Sequence, residues 1–298
     1  SLMIIAPILA GADLGRLRRP EGPVVALSQT QSEALARVAL CLKNGSYDLV
    51  EALCICGSSR AQVVATRDRY NLPIRTQLCT NCGLLRTNPR MSGESLRSFY
   101  DTEYRALYEG SPLATDTFFE HQADRGEHIR RFIYEHVPDV KPGVLFDVGC
   151  GAGGMLPPFH AHGWRVSGCD YGSGYLQYGQ GHGLDLRHGD VSALVDAGPA
   201  DLIILSHVME HLDDPERTVN GLAAALKPGG LLYVELPGVL NILNFYGDVL
   251  RSLHVAHLFH FTLGTLTQMM SRCGFKLIFG DEDVRAIFQK SPSTSTFV

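Results

Sequence analysis

The length and charge of the chain limit its fold and its partners. At 298 residues it exceeds the usual single domain, so we expect one large domain together with a smaller module. Its composition, 45% hydrophobic and 19% charged, is that of a folded globular protein and argues against extended disorder. The formal net charge of -5 disfavours a broad nucleic-acid-binding surface, which would need excess Lys and Arg. A small-molecule substrate is therefore favoured over a nucleic acid.

The N-terminal segment carries no targeting signal that we recognise. Its apolar run, residues 3–10, lacks the basic flank of a signal peptide and is too short to span a bilayer. We therefore expect a cytoplasmic protein with no membrane partner. In a reducing compartment the eight cysteines would stay reduced, so clustered cysteines are better interpreted as metal ligands than as disulfides.

The first half of the chain predicts three structural parts. A helix is predicted over residues 28–43, because apolar positions recur at helical spacing between a Ser/Thr start and an Asn-Gly stop. Residues 53–89 then change to short strands and turns with four cysteines, which hold too little apolar material for an independent core. Two more helices are predicted at 93–108 and 118–136. The predicted parts are a helical segment (1–50), a zinc-binding module (51–92) and a helical linker and cap (93–138).

The remainder of the chain, residues 139–298, alternates strand-like and helix-like runs. Such alternation is typical of crossover units and a parallel sheet, so the predicted fold class is α/β. The predicted strands lie at residues 144–148, 166–169, 202–205, 231–236, 276–279 and 285–288, and the predicted helices at 219–226 and 263–273.

A glycine-rich turn, DVGCGAGG at residues 147–154, follows the first of these strands. Glycine has no Cβ, so it allows both a sharp turn and a close approach of the backbone to a ligand. Gly149, Gly151 and Gly154 also satisfy the dinucleotide fingerprint, so an NAD-type oxidoreductase is an alternative interpretation. Both interpretations place a ribose-binding acid about 20 residues further on, where Asp170 lies.

Two further acids favour a sulfonium ligand over a dinucleotide. Asp147 precedes the first glycine, where a carboxylate would repel a pyrophosphate but could order the turn and attract an ammonium group. Asp190, followed by Val191, comes after the third strand position, where it could accept a hydrogen bond from an adenine amino group. Further motifs follow in the chain: SHVMEHL at residues 206–212 and LKPGG at 226–230.

In this combination and order, residues 118–290 resemble the class I S-adenosylmethionine-dependent methyltransferases. The resemblance implies a Rossmann-like sheet of seven mostly parallel strands, with the last strand antiparallel. It also implies that the glycine turn borders the methionine moiety of the cofactor, Asp170 the ribose and Asp190 the adenine. The cofactor-binding residues predicted in this way are Asp147, Gly149, Gly151, Gly153, Asp170, Asp190, Val191 and Glu210.

The four cysteines form two knuckles, CICG at residues 54–57 and CTNCG at 79–83. Four thiolates from two tight turns suit a tetrahedral zinc ion, which would be structural because four protein ligands leave no coordination position open. The first knuckle has one intervening residue instead of the usual two, so a reduced metal-free module or a disulfide stays open as an alternative. The predicted zinc ligands are Cys54, Cys56, Cys79 and Cys82.

The cysteines, LLRTNP at residues 84–89 and FYDTEY at 99–104 resemble the zinc-bearing subgroup of sugar methyltransferases. This resemblance implies a sugar-like acceptor, such as a nucleotide-linked sugar or an intermediate of polysaccharide biosynthesis. Arginines of the cysteine module could grip a diphosphate through their guanidinium forks, or could form a solvated face. A zinc-bearing RNA methyltransferase is a further alternative. These arginines are Arg60, Arg67, Arg69, Arg75, Arg86 and Arg90.

Histidines supply the candidate base. Methyl transfer from a sulfonium is an in-line displacement, so a hydroxyl acceptor must give its proton to a group near the methyl. Histidine titrates in the required range, and HVAHLFHF at residues 254–261 contains three. In the sugar-methyltransferase resemblance, His257 matches the base or acceptor-binding histidine, His211 a histidine beneath the site and Tyr104 an active-site tyrosine. We assign His211 the role of an orienting partner. We expect His254 and His260 to be solvated or packing residues.

Overall fold

The computed structural model describes residues 17, 22–111, 113–242 and 247–291. The apolar run at residues 3–10 lies outside these ranges. Within them, no helix combines the length and the apolarity that crossing a membrane requires.

The first helix, α1 (Gln29–Asn44), confirms the prediction to within one residue at each end. Its start is fixed by a capping box, in which the Ser28 hydroxyl accepts from the Gln31 amide and the Gln31 side chain accepts from the Ser28 amide. Its end is set by Gly45, whose φ of 79° is the left-handed conformation that glycine adopts most easily.

The cysteine segment folds into short antiparallel sheets. Two strands, β1 (Leu49–Val50) and β5 (Arg90–Met91), pair with each other. A second sheet contains β2 (Ala61–Ala65), β3 (Thr76–Cys79) and β4 (Leu85–Thr87). Its fourth strand, β11 (Phe259–His260), comes from much later in the chain and pairs with β4. The sheet next to the cysteines is therefore completed by the segment that carries the candidate histidines.

Three helical elements and a long helix connect this segment to the main sheet. They are α2 (Gly93–Phe99), a π-helical turn (Tyr100–Tyr104), α3 (Arg105–Tyr108) and α4 (Asp116–His136). The single helix predicted at residues 93–108 is thus interrupted by a π-helical turn. This geometry stacks the rings of Tyr100, Tyr104 and Tyr108, whose successive centroids lie 4.5 and 4.8 Å apart.

The main sheet has seven strands in the order β12-β13-β10-β9-β6-β7-β8. Strand β13 is antiparallel to both of its neighbours, and the other adjacent pairs are parallel. The predicted Rossmann-like α/β fold, with an antiparallel last strand, is confirmed. The strands are β6 (Val144–Val148), β7 (Arg165–Asp170), β8 (Leu186–His188), β9 (Ala200–Ser206), β10 (Leu226–Glu235), β12 (Phe275–Gly280) and β13 (Arg285–Lys290). Other α-helices among the described residues are α5 (Leu156–His160), α6 (Ser173–Gly181), α7 (Pro215–Ala225) and α8 (Leu263–Arg272).

The sheet is buried on both faces, as strands with near-continuous apolar sequences require. Alternate residues of β9 enter different hydrophobic clusters, Leu202 on one side and Ile203 on the other. The cluster that contains Ile203 continues into the cysteine module and includes Cys54 and Cys79. The cysteine module therefore shares its core with the main sheet, which fits its small content of apolar residues.

Candidate functional site

The glycine turn leaves the carboxyl end of β6. Gly149, Gly151 and Gly153 have φ angles of 78°, 58° and 74°, in the left-handed region that other residues rarely adopt. A Cβ at Gly149 would also lie 2.3 Å from the Cγ2 atom of Val208. These glycines therefore meet a backbone requirement at the edge where ligands bind in open α/β sheets.

The turn is held by two side chains from outside it. Asp170, which ends β7, accepts from the amides of Gly151 at 2.8 Å and Gly172 at 2.7 Å. Gln122 of α4 donates to the carbonyl of Cys150 at 3.0 Å and accepts from the amide of Gly154 at 3.2 Å. Each Asp170 oxygen keeps a lone pair for a further donor, such as a ribose hydroxyl. Gln122 was missed from the sequence because no local pattern marks it.

Asp147 does not order the turn, as the sequence suggested it could. Its carboxylate is fully buried and neither oxygen has a hydrogen-bond partner. Burial, aided by repulsion from Asp170, raises the pKa of Asp147 to about 8. An unpaired buried carboxyl is costly, and a ligand ammonium group would supply the missing donors. The residue therefore fits the amino-acid end of S-adenosylmethionine.

The predicted adenine contact lies at the same edge of the sheet, beyond β8. Asp190 is exposed, and its Oδ1 accepts from the amide of Ser192 at 2.9 Å and from its hydroxyl at 2.6 Å. These bonds lower the pKa of Asp190 and hold it as a carboxylate. Val191 is buried beside it. One oxygen of Asp190 is left for a ligand.

Glu210 lies among three histidines. Its Oε1 is 3.4 Å from Nδ1 of His207 and 3.8 Å from Nε2 of both His211 and His257. Glu210 is 1% exposed and neither oxygen has a hydrogen-bond partner. Burial would raise the pKa of Glu210, but the neighbouring His211 and His207 bring it below its usual value. The structure thus brings the predicted Glu210, His211 and His257 together, and adds His207, which sequence analysis missed.

The tautomer of His211 follows from one contact. Its Nδ1 lies 3.0 Å from the carbonyl oxygen of Ala256, so Nδ1 carries the proton and Nε2 presents a lone pair towards Glu210. Burial lowers the pKa of His211 below 6.5, so the ring is neutral at pH 7. Ligand atoms of Glu210, His211 and His257 lie within 4.8 Å of one another.

The three histidines of residues 254–261 are all buried, at 5%, 8% and 5% exposure for His254, His257 and His260. Burial lowers the pKa of His254 and His257 well below 6.5, and that of His260 to about 4. All three are neutral at pH 7, which is the form that can accept a proton. His254 and His260 are not solvated. His254 packs on His257 with ring centroids 3.5 Å apart. Nδ1 of His254 and Nε2 of His260 are buried without a hydrogen-bond partner.

Tyr104 lies between Tyr100 and Tyr108 and meets the ring of His211 edge-on at 5.8 Å. Burial raises the pKa of all three tyrosines, so their hydroxyls stay protonated. The hydroxyls of Tyr100 and Tyr108 are buried without partners. These two residues were missed, although their four-residue spacing around Tyr104 was a visible signal.

The four predicted zinc ligands converge. Their Sγ atoms all lie within 4.8 Å of one another, with 3.6 Å between Cys54 and Cys82 and 3.6 Å between Cys56 and Cys79. Zinc–sulfur bonds of about 2.3 Å in a tetrahedron place sulfurs about 3.8 Å apart, so the cluster fits a zinc ion. Hydrogen bonding from Cys54 lowers the pKa of Cys82 to about 5. The short first knuckle does not prevent the two pairs from meeting.

The arginines of the cysteine module differ in burial and do not form a single solvated face. Arg67 and Arg86 are buried at 3% exposure, and both donate to backbone carbonyls, of Gly22 and Ala52. Arg75 pairs with Glu51 on the surface. Both alternatives treated the group as one feature, whereas burial divides it.

A family model described as a methyltransferase domain matches residues 119–278. This range covers more than half of the chain and includes the glycine turn and the Glu210 segment. The chain belongs to this family. The expected class, an S-adenosylmethionine-dependent methyltransferase, is confirmed by this domain, and the glycine turn is that of a methyltransferase and not of an oxidoreductase.

Known proteins support the domain assignment over part of their length. A ubiquinone biosynthesis O-methyltransferase of Coxiella burnetii is 31% identical over 96 residues, 30% of this chain and 41% of that protein. One from Maricaulis maris is 28% identical over 144 residues, 44% of this chain and 53% of that protein. The chain thus spans about half or less of these relatives. The PH0226 structure from Pyrococcus horikoshii OT3 shares the fold, with a TM-score of 0.51 at 16% identity, over 64% of this chain and all of that one.

Proposed function

We propose that this methyltransferase transfers the methyl group of S-adenosylmethionine to an oxygen of a small sugar-like acceptor. The acceptor would lie between the main sheet and the cysteine module. One observation carries the proposal. Within the described ranges, eleven buried side-chain nitrogen and oxygen atoms lack a hydrogen-bond partner, and seven of them belong to one group of residues. These residues are Arg69, Tyr100, Tyr108, Glu210, His254 and His260.

The clustering matters because each unpaired buried polar atom costs about 1–3 kcal/mol. A group of unpaired polar atoms in one region is suited to a polar ligand that forms the missing hydrogen bonds. A polyol offers both donors and acceptors, so it can satisfy hydroxyls, imidazole nitrogens and a carboxylate at the same time. Stacked tyrosine rings next to these atoms would pack against the apolar face of a sugar ring.

The cofactor would be held at the glycine turn. When bound, S-adenosylmethionine supplies the methyl group on an electrophilic sulfonium. Asp147 would pair with its ammonium group, Asp170 would accept from the ribose hydroxyls, and Asp190 with Val191 would border the adenine. The turn itself, at Gly149, Gly151 and Gly153, would leave room for the methionine moiety, and Glu210 would lie near the same pocket.

His257 is the proposed proton acceptor. It is neutral because burial lowers its pKa, and its Nε2 lies 3.8 Å from Glu210, whose negative charge would stabilise the imidazolium as the proton arrives. His211, fixed by its contact with Ala256, would orient the pair. Tyr104 would contact the acceptor or the methionine moiety through its hydroxyl.

The cysteine cluster is proposed to hold a structural zinc ion through Cys54, Cys56, Cys79 and Cys82. Its sulfur separations of 3.6 Å support this assignment. The ion would fix the two knuckles and, through β3 and β4, the sheet that carries the histidine segment.

The test is a methyl-transfer assay with S-adenosylmethionine labelled with ¹³C in the methyl group. The acceptors are a nucleotide-linked deoxysugar, the free sugar, a catechol and a short RNA. We expect label on a sugar hydroxyl, and a loss of about 10²–10⁴-fold in rate for His257→Gln. The exposed His160 is the matched control, and His160→Gln should keep the full rate. Labelling of the catechol or the RNA but of neither sugar would contradict the proposal.

A further inference from the structure

We infer that Arg69, together with Tyr70 and Tyr108, binds an anionic group of the acceptor, a carboxylate or a phosphoryl group. This inference rests on the proposed function, since it assigns a chemical feature to the acceptor.

Arg69 belongs to the cysteine module, but backbone hydrogen bonds connect it and its neighbour to residues 253–255, at the start of the segment that carries His254, His257 and His260. Its backbone amide donates to the carbonyl of Leu253 at 2.7 Å. The carboxylate of the preceding Asp68 accepts from the amide of Val255 at 3.1 Å. These two bonds hold Arg69 beside the loop that leads to His257.

A continuous row of side chains connects Arg69 to the candidate base. His257 packs on His254 with ring centroids 3.5 Å apart, and His254 packs on Tyr108 at 4.8 Å. The guanidinium carbon of Arg69 lies 5.1 Å from the centroid of the Tyr108 ring. Glu210 adjoins His257, with 3.8 Å between its Oε1 and Nε2 of His257. Arg69 would therefore contact a part of the acceptor remote from the reacting oxygen.

The guanidinium of Arg69 has no carboxylate partner among the described residues. Nη2 donates to the hydroxyl of Tyr70 at 2.7 Å and Nη1 to the carbonyl of Arg251 at 3.4 Å, whereas the buried Nε has no acceptor. The adjacent acid, Asp68, forms no ion pair with the guanidinium, because its oxygens accept from the amides of Tyr70, Leu72 and Val255. A half-buried guanidinium that lacks a directly bonded carboxylate and has a buried, unpaired Nε would be stabilised by an incoming anion.

Neighbouring groups can complete an anion site. The hydroxyl of Tyr70 accepts from Arg69, which leaves its own proton available to donate. The hydroxyl of Tyr108 is buried and unpaired. Both phenols stay protonated because burial raises their pKa. The guanidinium carbon lies 4.8 Å from the centroid of the Tyr70 ring and 5.1 Å from that of Tyr108. A guanidinium with two hydroxyl donors close to it matches the oxygen atoms of a carboxylate or a phosphoryl group.

The test is calorimetric titration of the full chain, saturated with S-adenosylhomocysteine, with inorganic phosphate and separately with acetate. We expect saturable binding of at least one anion and a loss of tenfold or more in affinity for Arg69→Gln. Arg69→Lys, which keeps the positive charge but not the paired N–H donors of the guanidinium, should retain part of the affinity. Preference for phosphate would assign a phosphoryl group, and preference for acetate a carboxylate.

The control variant is Arg131→Gln, which removes a surface arginine of α4 and should leave anion binding unchanged. An unchanged affinity for S-adenosylhomocysteine shows that a variant is folded. The same measurement tests the cofactor site separately from the anion site. Failure of the wild-type chain to bind either anion, or equal binding by Arg69→Gln, would overturn the inference.

Discussion

The hydroxyl of Thr87 donates a hydrogen bond of 2.7 Å to the backbone carbonyl of His257. The Thr87 amide donates to the carbonyl of the next residue, Leu258, whose own amide donates to the carbonyl of Glu210. Thr87 ends β4, and β4 pairs with β3, which ends at Cys79. A continuous series of hydrogen bonds therefore links the strand that ends at Cys79 to the backbone of His257 and of Glu210.

Replacing Thr87 with valine should loosen this link. The substitution leaves the buried carbonyl of His257 without its partner, so we expect the free energy of unfolding to fall by about 1–3 kcal/mol. The rate of methyl transfer should fall with it, because His257 is less firmly held, while the affinity for S-adenosylhomocysteine stays unchanged. Denaturant unfolding measures the stability, the labelled methyl-transfer assay measures the rate, and calorimetry measures the affinity. Thr218→Val, at an exposed helix start, is the control; if it and Thr87→Val behaved alike, the proposed link would be wrong.

Elemental analysis of the purified chain should find one zinc ion per chain. Cys79→Ser should lose the metal and unfold at a lower temperature, because the metal links the two knuckles. Cys54→Ser tests the short first knuckle and should also lose the metal. Cys41→Ser and Cys273→Ser, which alter cysteines outside the cluster, should keep it. Retention of zinc by Cys54→Ser, or a second equivalent of metal in the wild-type chain, would contradict this assignment.

The buried His260 should make the protein sensitive to acid. Its pKa is about 4 in the folded chain and about 6.5 when unfolded, so between these values only the unfolded chain binds the proton. Stability therefore falls as the pH falls, by about 3 kcal/mol from this residue between pH 6.5 and pH 4. His260→Gln should remove that part of the dependence, measured as the difference in unfolding free energy between the two pH values. An unchanged difference would show that His260 is not held neutral.

The parts of the site that the sequence predicted are those encoded locally. The glycine turn follows a strand within a few residues, and Asp170 lies at a fixed distance along the chain, so strand pattern and spacing suffice. The four cysteines were found for the same reason. The sequence did not predict the parts of the site that depend on contacts between distant segments of the chain. Thr87 and His257 are separated by 170 positions, and no local pattern predicts that β4 and β11 pair.

The burial of individual side chains could not be predicted for the same reason. His254 and His260 were expected to be solvated or packing residues, and pairing of β11 with the cysteine module buries them. Arg69 was considered as one of six arginines, and its contact with Tyr108, which is distant in sequence, distinguishes it. The sequence predicted a role for Asp147, but its lack of hydrogen-bond partners depends on the surrounding core.

The proposed S-adenosylmethionine site is tested most directly by titrating the chain with S-adenosylhomocysteine at pH 7 in buffers of different ionisation enthalpy. With a pKa of about 8, Asp147 is mostly protonated at this pH, and pairing with the ligand ammonium would ionise it. We predict saturable binding with release of close to one proton. Asp147→Asn should bind more weakly and release no proton at this site, whereas the exposed Asp139→Asn should match the wild type. Absence of binding, or equal proton release by the wild type and Asp147→Asn, would contradict the account.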